Sequence, residues 1–319
     1  MYDITALGEL LIDFTPAGKS SAGMDLFEQN PGGAPANVLA CASRLGYRTA
    51  FIGKIGTDTQ GDFLRKTLQD AGIDTGGLVS DERFFTTMAF VSLGDGGERS
   101  FAFARKPGAD TQLCQEDVNL SILRESRFFH FGSLSLTDSP SRETTFYALK
   151  KAREAHCIIS YDPNYRPLLW KSRGQAMEET RRALPCADLI KISEEETELL
   201  TGYASPQEAA EYLIREGLQI VAVTLGKDGA LVATKDGCAV VPGYPVTAVD
   251  TTGAGDAFWG AFLYSLGQLA KTPSETSLQE LMTITAFANA AAALCVTKRG
   301  AIPAMPSLDE IETMQNIRR

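Results

Sequence analysis

The spacing of apolar and polar residues predicts strands and helices in near-regular alternation. Apolar runs of strand length occur at 4–7, 10–14, 50–55, 127–131, 157–162, 189–192 and 220–224. Between them, 38–45, 61–71, 141–155, 175–184, 194–201 and 206–216 repeat apolar positions at helical spacing. Gly46 and Gly72 stand where the first two helices should stop. This rhythm predicts an α/β fold with a mainly parallel sheet covered on both faces and ligands at the C-terminal ends of its strands. Residues 86–93 and 99–104 break the rhythm by alternating around Gly94-Asp95-Gly96-Gly97, a hairpin signal. Together with the extended, Gly-rich residues 15–30 they predict a small sheet projecting from the main one; an edge hairpin of the main sheet is the alternative. A second hairpin is expected about Lys235-Asp236-Gly237, and Ala-rich helices at 278–294 and 308–316 finish the chain.

One stretch organises the rest. Asp250-Thr251-Thr252-Gly253-Ala254-Gly255-Asp256 lies between a strand-and-connector segment (237–249) and an apolar helix face (257–269). The Gly-Ala-Gly turn therefore opens a helix, where free N–H groups and the positive dipole end converge. Small residues let a phosphate reach that backbone. Asp256 would repel the phosphate unless it accepts the proton of an attacking hydroxyl; an ordinary acidic helix start is the alternative. A second turn, Pro31-Gly32-Gly33-Ala34-Pro35-Ala36-Asn37, opens an earlier helix, with Pro35 suited to its first turn. Asp13 lies inside an apolar strand, which is costly without a partner and points to hydroxyl recognition; a solvated strand-end carboxylate is the alternative.

Composition narrows the chemistry. The chain has 319 residues, 44% of them apolar, enough for one large α/β domain with an accessory piece. A net charge of −10 argues against nucleic-acid or acidic-membrane partners but leaves room for a nucleotide held by local dipoles. The six cysteines form no Cys-x-x-Cys pair and read as small buried hydrophobes in a reducing compartment. With no basic N-terminal region and no apolar run near 18 residues, a soluble, cytoplasmic protein is expected. No Walker-type loop, dinucleotide fingerprint or Gly-x-Ser-x-Gly elbow is spelled out. His130 and His156 read as core or surface residues. Phosphoryl transfer to an alcohol needs a charge cradle, a metal, an aligned acceptor and a proton acceptor. Gly253, Ala254 and Gly255 supply the first through their N–H groups. Glu196 suits Mg²⁺ held through water, and Asp13, Asn37 and Arg166 suit a polyol. Asp256, with a reference pKa of about 4, would take the proton late.

On Gly32-Gly33-Ala34-Pro35-Ala36-Asn37 and Asp250–Asp256, and over nearly the whole chain from Gly8 to Pro303, the sequence resembles the ribokinase-like (PfkB) carbohydrate kinases, among them most the fructokinases. The resemblance implies a single Rossmann-like domain over 1–319: a three-layer sandwich with a central, mainly parallel sheet and a β-sheet lid from about 14–30 and 84–106. It implies ATP, Mg²⁺ and transfer to a sugar hydroxymethyl group, fructose giving fructose 6-phosphate. Ribose, ketodeoxygluconate and aminoimidazole riboside are alternative acceptors, and a silent sugar sensor is the alternative of another kind. By matching position, Asp256 becomes the base and Gly253, Ala254 and Gly255 the anion hole. Asp13, Gly32, Gly33, Asn37, Arg105 and Arg166 become sugar contacts, with Arg105 closing from the lid. Ser193, Thr224, Gly226, Gly229 and Asn289 fall at nucleotide positions. Asp250 and Thr252, with carbonyls about Cys295, Lys298 and Gly300, resemble a monovalent-cation loop, K⁺ being expected. Where the family has Asn-x-x-Glu, this chain has Ser193-x-x-Glu196. An exposed lid sheet would also let two copies pair.

Overall fold

Alternating strand and helix signals become a layered α/β architecture in the computed structural model, which describes residues 1–93 and 99–317. The expected Gly94–Gly97 turn lies outside the described residues. The strands are β1 (Tyr2–Leu7), β2 (Leu11–Lys19), β3 (Asp25–Gly32), β4 (Thr49–Gly56), β5 (Ile73–Asp81), β6 (Met88–Leu93) and β7 (Arg99–Ala104). They continue with β8 (Ser126–Gly132), β9 (Ile158–Asp162), β10 (Leu189–Ser193), β11 (Ile220–Thr224), β12 (Gly229–Thr234) and β13 (Gly237–Pro242). Nine of them form one sheet in the order β13-β12-β11-β10-β9-β8-β1-β4-β5. From β5 to β11 every neighbour is parallel, and β12 and β13 close the far edge as an antiparallel hairpin. The remaining four make a separate sheet, β3-β2-β6-β7.

Two cores sandwich the large sheet, because strands buried on both faces must be covered on both. One face packs α1 (Ala34–Arg44), α2 (Thr59–Asp70) and, from the end of the chain, three helices described below. The other packs α3 (Leu120–Arg124), α4 (Ser141–Glu154), α5 (Arg173–Ala183), α6 (Thr197–Thr201) and α7 (Pro206–Arg215). The first face is completed by α8 (Ala254–Gln268), α9 (Leu278–Cys295) and α10 (Leu308–Ile317). α9 has the length and mean hydropathy (18 residues, 1.2) of a membrane span, although Glu280, Thr285 and Asn289 interrupt its apolar run. It packs inside this layer, with Leu281, Ile284, Ala288 and Ala291 in the core.

Two local departures have physical causes. β5 has no counterpart in the apolar pattern, because Gly76 and Gly77 interrupt it. Ala50 pairs Asp74 and Ile52 pairs Gly77, so β5 carries one extra residue there as a bulge. A methyl group on Gly77 would meet the Phe51 carbonyl at 2.8 Å, which explains the glycine. The helix expected over 194–201 is divided: Glu194–Glu196 form a 3₁₀ turn and the α-helix starts at Thr197. The order of strands reverses at β1, with β4 and β5 on one side and β8 onward on the other. That switch point marks where a crevice opens at the strands' C-terminal ends.

Candidate active site

Gly33 (φ 124°) and Gly253 (φ 77°) both stand in the left-handed region, immediately before α1 and α8. An L side chain is strained at either position, so each glycine permits a chain reversal that delivers a helix N-terminus to the switch point. The two helices pack closely. A methyl on Gly260 of α8 would meet Cys41 Cβ of α1 at 2.7 Å, and Cys41 Sγ–H donates to the Ala257 carbonyl at 3.3 Å. Asn37 Nδ2 consequently donates to Asp256 Oδ2 at 2.7 Å. In α8, Ala257 is the first donor into the helix, to the Gly253 carbonyl at 2.8 Å. The Gly255 and Asp256 N–H groups precede that bond and point out of the helix end.

Asp256 is buried, and burial pushes its carboxyl up to about 6; Lys191 opposes the shift, Asp162 adds to it, and the Asn37 bond and Arg166 hold it down. Asp13, at the start of the small sheet, is likewise pushed up to about 6 by burial, with Arg166 opposing. A methyl on Gly32 would collide with Asp13 Oδ2 at 2.5 Å, so this carboxylate lies directly against the Gly32–Gly33 turn. The exposed Arg166 guanidinium acts on both carboxylates. Asp13, Gly32, Gly33, Asn37, Arg166 and Asp256 therefore converge. Arg105 lies just past β7, at the foot of the small sheet. Its guanidinium donates to Asp110 Oδ2 (2.8 Å), Thr137 Oγ1 (2.9 Å) and the Leu134 carbonyl (3.0 Å).

The nucleotide-side candidates line the ends of β10 to β12. Ser193 and Thr224 are paired residues at the ends of β10 and β11. Gly226 (φ 58°) and Gly229 (φ 107°) turn the chain after β11, and Asn289 of α9 ties to the Val241 carbonyl at 2.9 Å. Ser193 N–H donates to Glu196 Oε2 at 2.8 Å, a backbone bond indifferent to the Ser-for-Asn exchange. Tyr165 N–H donates to the other oxygen. Glu196 is raised by burial and by Asp162. Asp250 accepts from Thr252 Oγ1 (2.7 Å) and from Gly300 N–H (3.0 Å), so the two loops of the expected cation site are joined. The Thr252 carbonyl faces Cys295 Sγ at 3.8 Å, while Lys298 turns to Glu310 at 2.7 Å. Gly253 abuts Ala301, where a methyl would meet Cβ at 2.6 Å, so that loop braces the anion turn.

Two buried groups at this site are missing from the residues expected from the sequence. Lys191 lies in the middle of β10 and pairs with Asp162 Oδ2 at 2.6 Å, both side chains enclosed. Glu9 Oε1 accepts the Ala34 N–H at 3.0 Å, and burial pushes its carboxyl up to about 7. A lone lysine or glutamate in an apolar run is the signal that could have flagged them. His130 has the core role its position implies: it is fully buried beside Ser160 (3.0 Å), and burial pushes it down to about 4.

A family model described as pfkB family carbohydrate kinase matches residues 1–308. Fructokinase-1 of Zea mays is 42% identical over 322 residues, covering 99% of this chain and 98% of that protein. A crystal structure of a fructokinase with bound ATP from Xylella fastidiosa superposes with a TM-score of 0.89 at 32% identity, covering 99% of this chain and 98% of its own. A fructokinase from Vibrio cholerae O395 in a fructose-, ADP- and calcium-bound form gives a TM-score of 0.87 at 35% identity, with 98% and 99% covered. The ribokinase-like architecture follows from these superpositions.

Proposed function

Because this chain belongs to the pfkB family of carbohydrate kinases, we propose that it transfers the γ-phosphoryl group of ATP to the hydroxymethyl group of D-fructose, giving fructose 6-phosphate. The observation that carries the reading is the Asn37–Asp256 contact of 2.7 Å. It joins the polyol side of the site to the carboxylate that opens the phosphate-side helix. Asp13, Gly32, Gly33, Asn37, Arg105 and Arg166 hold the sugar. Asp256, ionised above about pH 6, accepts the hydroxyl proton as the oxygen begins to bond phosphorus. The N–H groups of the Gly253-Ala254-Gly255 turn and the α8 dipole receive the charge that develops on the moving group.

Ser193, Thr224, Gly226, Gly229 and Asn289 seat the nucleotide. Both Glu196 oxygens already accept N–H bonds, which suits a Mg²⁺ ion met through water, the coordination this small cation keeps. Among the described residues no cluster of three His, Cys, Asp or Glu could hold a metal alone. The nucleotide's phosphates would supply its remaining protein-independent contacts. The joined Asp250 and Gly300 loops, with Thr252 and the carbonyls near Cys295 and Lys298, suit a monovalent cation such as K⁺ that stiffens the turn at Gly253.

The whole chain acts as one kinase domain whose four-stranded sheet is the lid. On that sheet Phe14 stacks on Phe90 (centroids 5.1 Å), Phe27 meets Phe90 edge-on (6.3 Å), and Leu26 and Phe27 are exposed. This face suits pairing with a second copy. Six free thiols fit a reducing, cytoplasmic setting, and the acidic net charge fits neither nucleic acid nor an anionic membrane as partner. The test is ADP release with Mg-ATP over fructose, ribose, ketodeoxygluconate and aminoimidazole riboside. The highest kcat/KM is expected for fructose. A higher value for another sugar overturns the acceptor, and sugar binding without ADP release overturns the kinase reading in favour of a sensor.

A further inference from the structure

We propose that Lys191, held in place by Asp162, is a positioning residue for phosphoryl transfer: it fixes the charge of Asp256 and the seat of the Gly253–Gly255 turn. The proposal rests on the sugar-kinase reading above. Lys191 lies on the face of β10 beneath the first turn of α8. A methyl group on Gly255 would lie 3.2 Å from its Nζ and 3.7 Å from its Cε, so the ammonium presses directly against the anion turn. Its partner Asp162, at the end of β9, has no exposed surface. Asp162 Oδ2 takes the ammonium at 2.6 Å, and Oδ1 has no hydrogen-bond partner among the described residues.

A buried ion pair is a weak source of stability, since desolvation offsets the attraction. Its place points instead to the reaction. Three enclosed carboxylates, Asp162, Asp256 and Glu196, act on this one buried ammonium. Burial works against its charge, but the three acids outweigh burial and push its pKa up, so Lys191 remains a cation. From the other elements Asp256 faces the Asn37 amide and the Cys41 thiol of α1, Cys295 of α9 and the exposed Arg166. His130 and Tyr161, the remaining titratable groups on which Asp162 acts, stay neutral near pH 7, since burial pushes the imidazole down and the phenol up. Lys191 is thus the enclosed positive charge that keeps the base ionised. The same charge lies beneath the turn to which a phosphoryl group would bring its own negative charge.

The experiment compares the full-length wild type, Lys191→Met and Lys191→Met/Asp162→Asn by Tm, kcat, sugar KM and the pH dependence of kcat/KM. Lys191→Met should lower Tm and cut kcat at least about 10-fold, with the sugar KM little changed. Its acidic limb should move up by about one pH unit, as expected when a carboxylate loses a neighbouring cation. The double variant, free of the unpaired buried charge, should regain Tm while kcat stays low. If kcat returns together with Tm in the double variant, the pair is only structural and the proposal falls. An acidic limb that stays at the wild-type position in both variants overturns it as well. The double variant decides the matter should Lys191→Met fail to fold. Absence of ADP release by the wild type with every sugar overturns the kinase reading itself and this inference with it.

Discussion

The two glycine turns that open α1 and α8 look alike and do opposite work. Each uses a left-handed glycine, and each delivers a helix N-terminus to the same crevice. At α1, the first donor is already taken, because Glu9 Oε1 accepts the Ala34 N–H. The turn therefore offers a neutral amide, Asn37, and lies against the Asp13 carboxylate, a setting for hydroxyl groups. At α8, the Ala254 N–H turns to the Thr251 carbonyl at 3.3 Å, but the Gly255 and Asp256 N–H groups precede the first intrahelical bond, and a lysine ammonium lies beneath them. That end is prepared for negative charge. The lesson is that a helix N-terminus becomes an anion site only where the surrounding side chains leave its donors free.

The comparison can be broken by exchanging the properties of the two turns. The largest effect is expected from Asp256→Asn, which removes the proposed proton acceptor but retains a hydrogen-bonding group beside Asn37. kcat should fall by roughly 10² to 10⁴, the usual range for a general base, while sugar affinity measured by calorimetry stays within a few-fold. Gly253→Ala comes next. Its methyl would meet Ala301 in a backbone conformation that L residues avoid, so a loss of about 1–3 kcal/mol of stability is expected, together with a fall in kcat. Gly33→Ala, which meets the Glu9 carbonyl, should instead raise the sugar KM. Similar kinetic signatures for the two glycine variants would show that the turns do not divide the work.

Acidity sharpens the contrast. Asp256 and Asp13 are both pushed up to about 6, and both act as anions. Activity should thus be full above that value and decline as pH falls through about 6, in kcat through Asp256 and in sugar binding through Asp13. The smallest effect belongs to Glu9→Gln, whose amide oxygen still accepts the Ala34 N–H. Glu9 is raised from 4.5 to about 7. Its contribution to stability is complete below the ordinary value and is lost as pH rises through about 7. The variant should flatten the decline in Tm between pH 5 and 8 while changing sugar KM little. An unchanged slope would show that Glu9 is not the titrating group.

Much of this was legible in the chain because special backbone conformations demand special residues. Gly253 and Gly33 need positive φ, Pro35 needs a helix first turn, and these demands leave spelled motifs around Asp256 and Asn37. The parallel sheet was equally legible, since strands covered on both faces read as continuous apolar runs. Lys191 was not, because one lysine in Leu189–Ser193 has the same spelling whether it reaches solvent or a buried partner. Its partner Asp162 lies 29 residues away, and no local pattern encodes that distance. Arg105 was named through the resemblance, but its clamp was not legible, since it draws on Thr137, 32 residues on. β5 escaped for a different reason: its bulge inserts a residue opposite Ala50–Ile52 and breaks the alternation that identifies a strand.

The contact between Asn37 and Asp256 spans 219 residues of chain, and that span has a consequence in time. At the pace of ribosomal synthesis, about 5–20 residues per second, roughly 10 to 45 s separate the emergence of the two side chains. The strand order lets the sheet grow during that interval, since β8 joins the free edge of β1 and β9, β10 and β11 each join the edge left by the strand before. α8 comes last among the parts that touch α1 through Cys41 and Asn37. A nascent chain thus holds the Gly33 turn and Asn37 long before it holds Asp256, the proposed base, and the two come together only when α8 docks against α1.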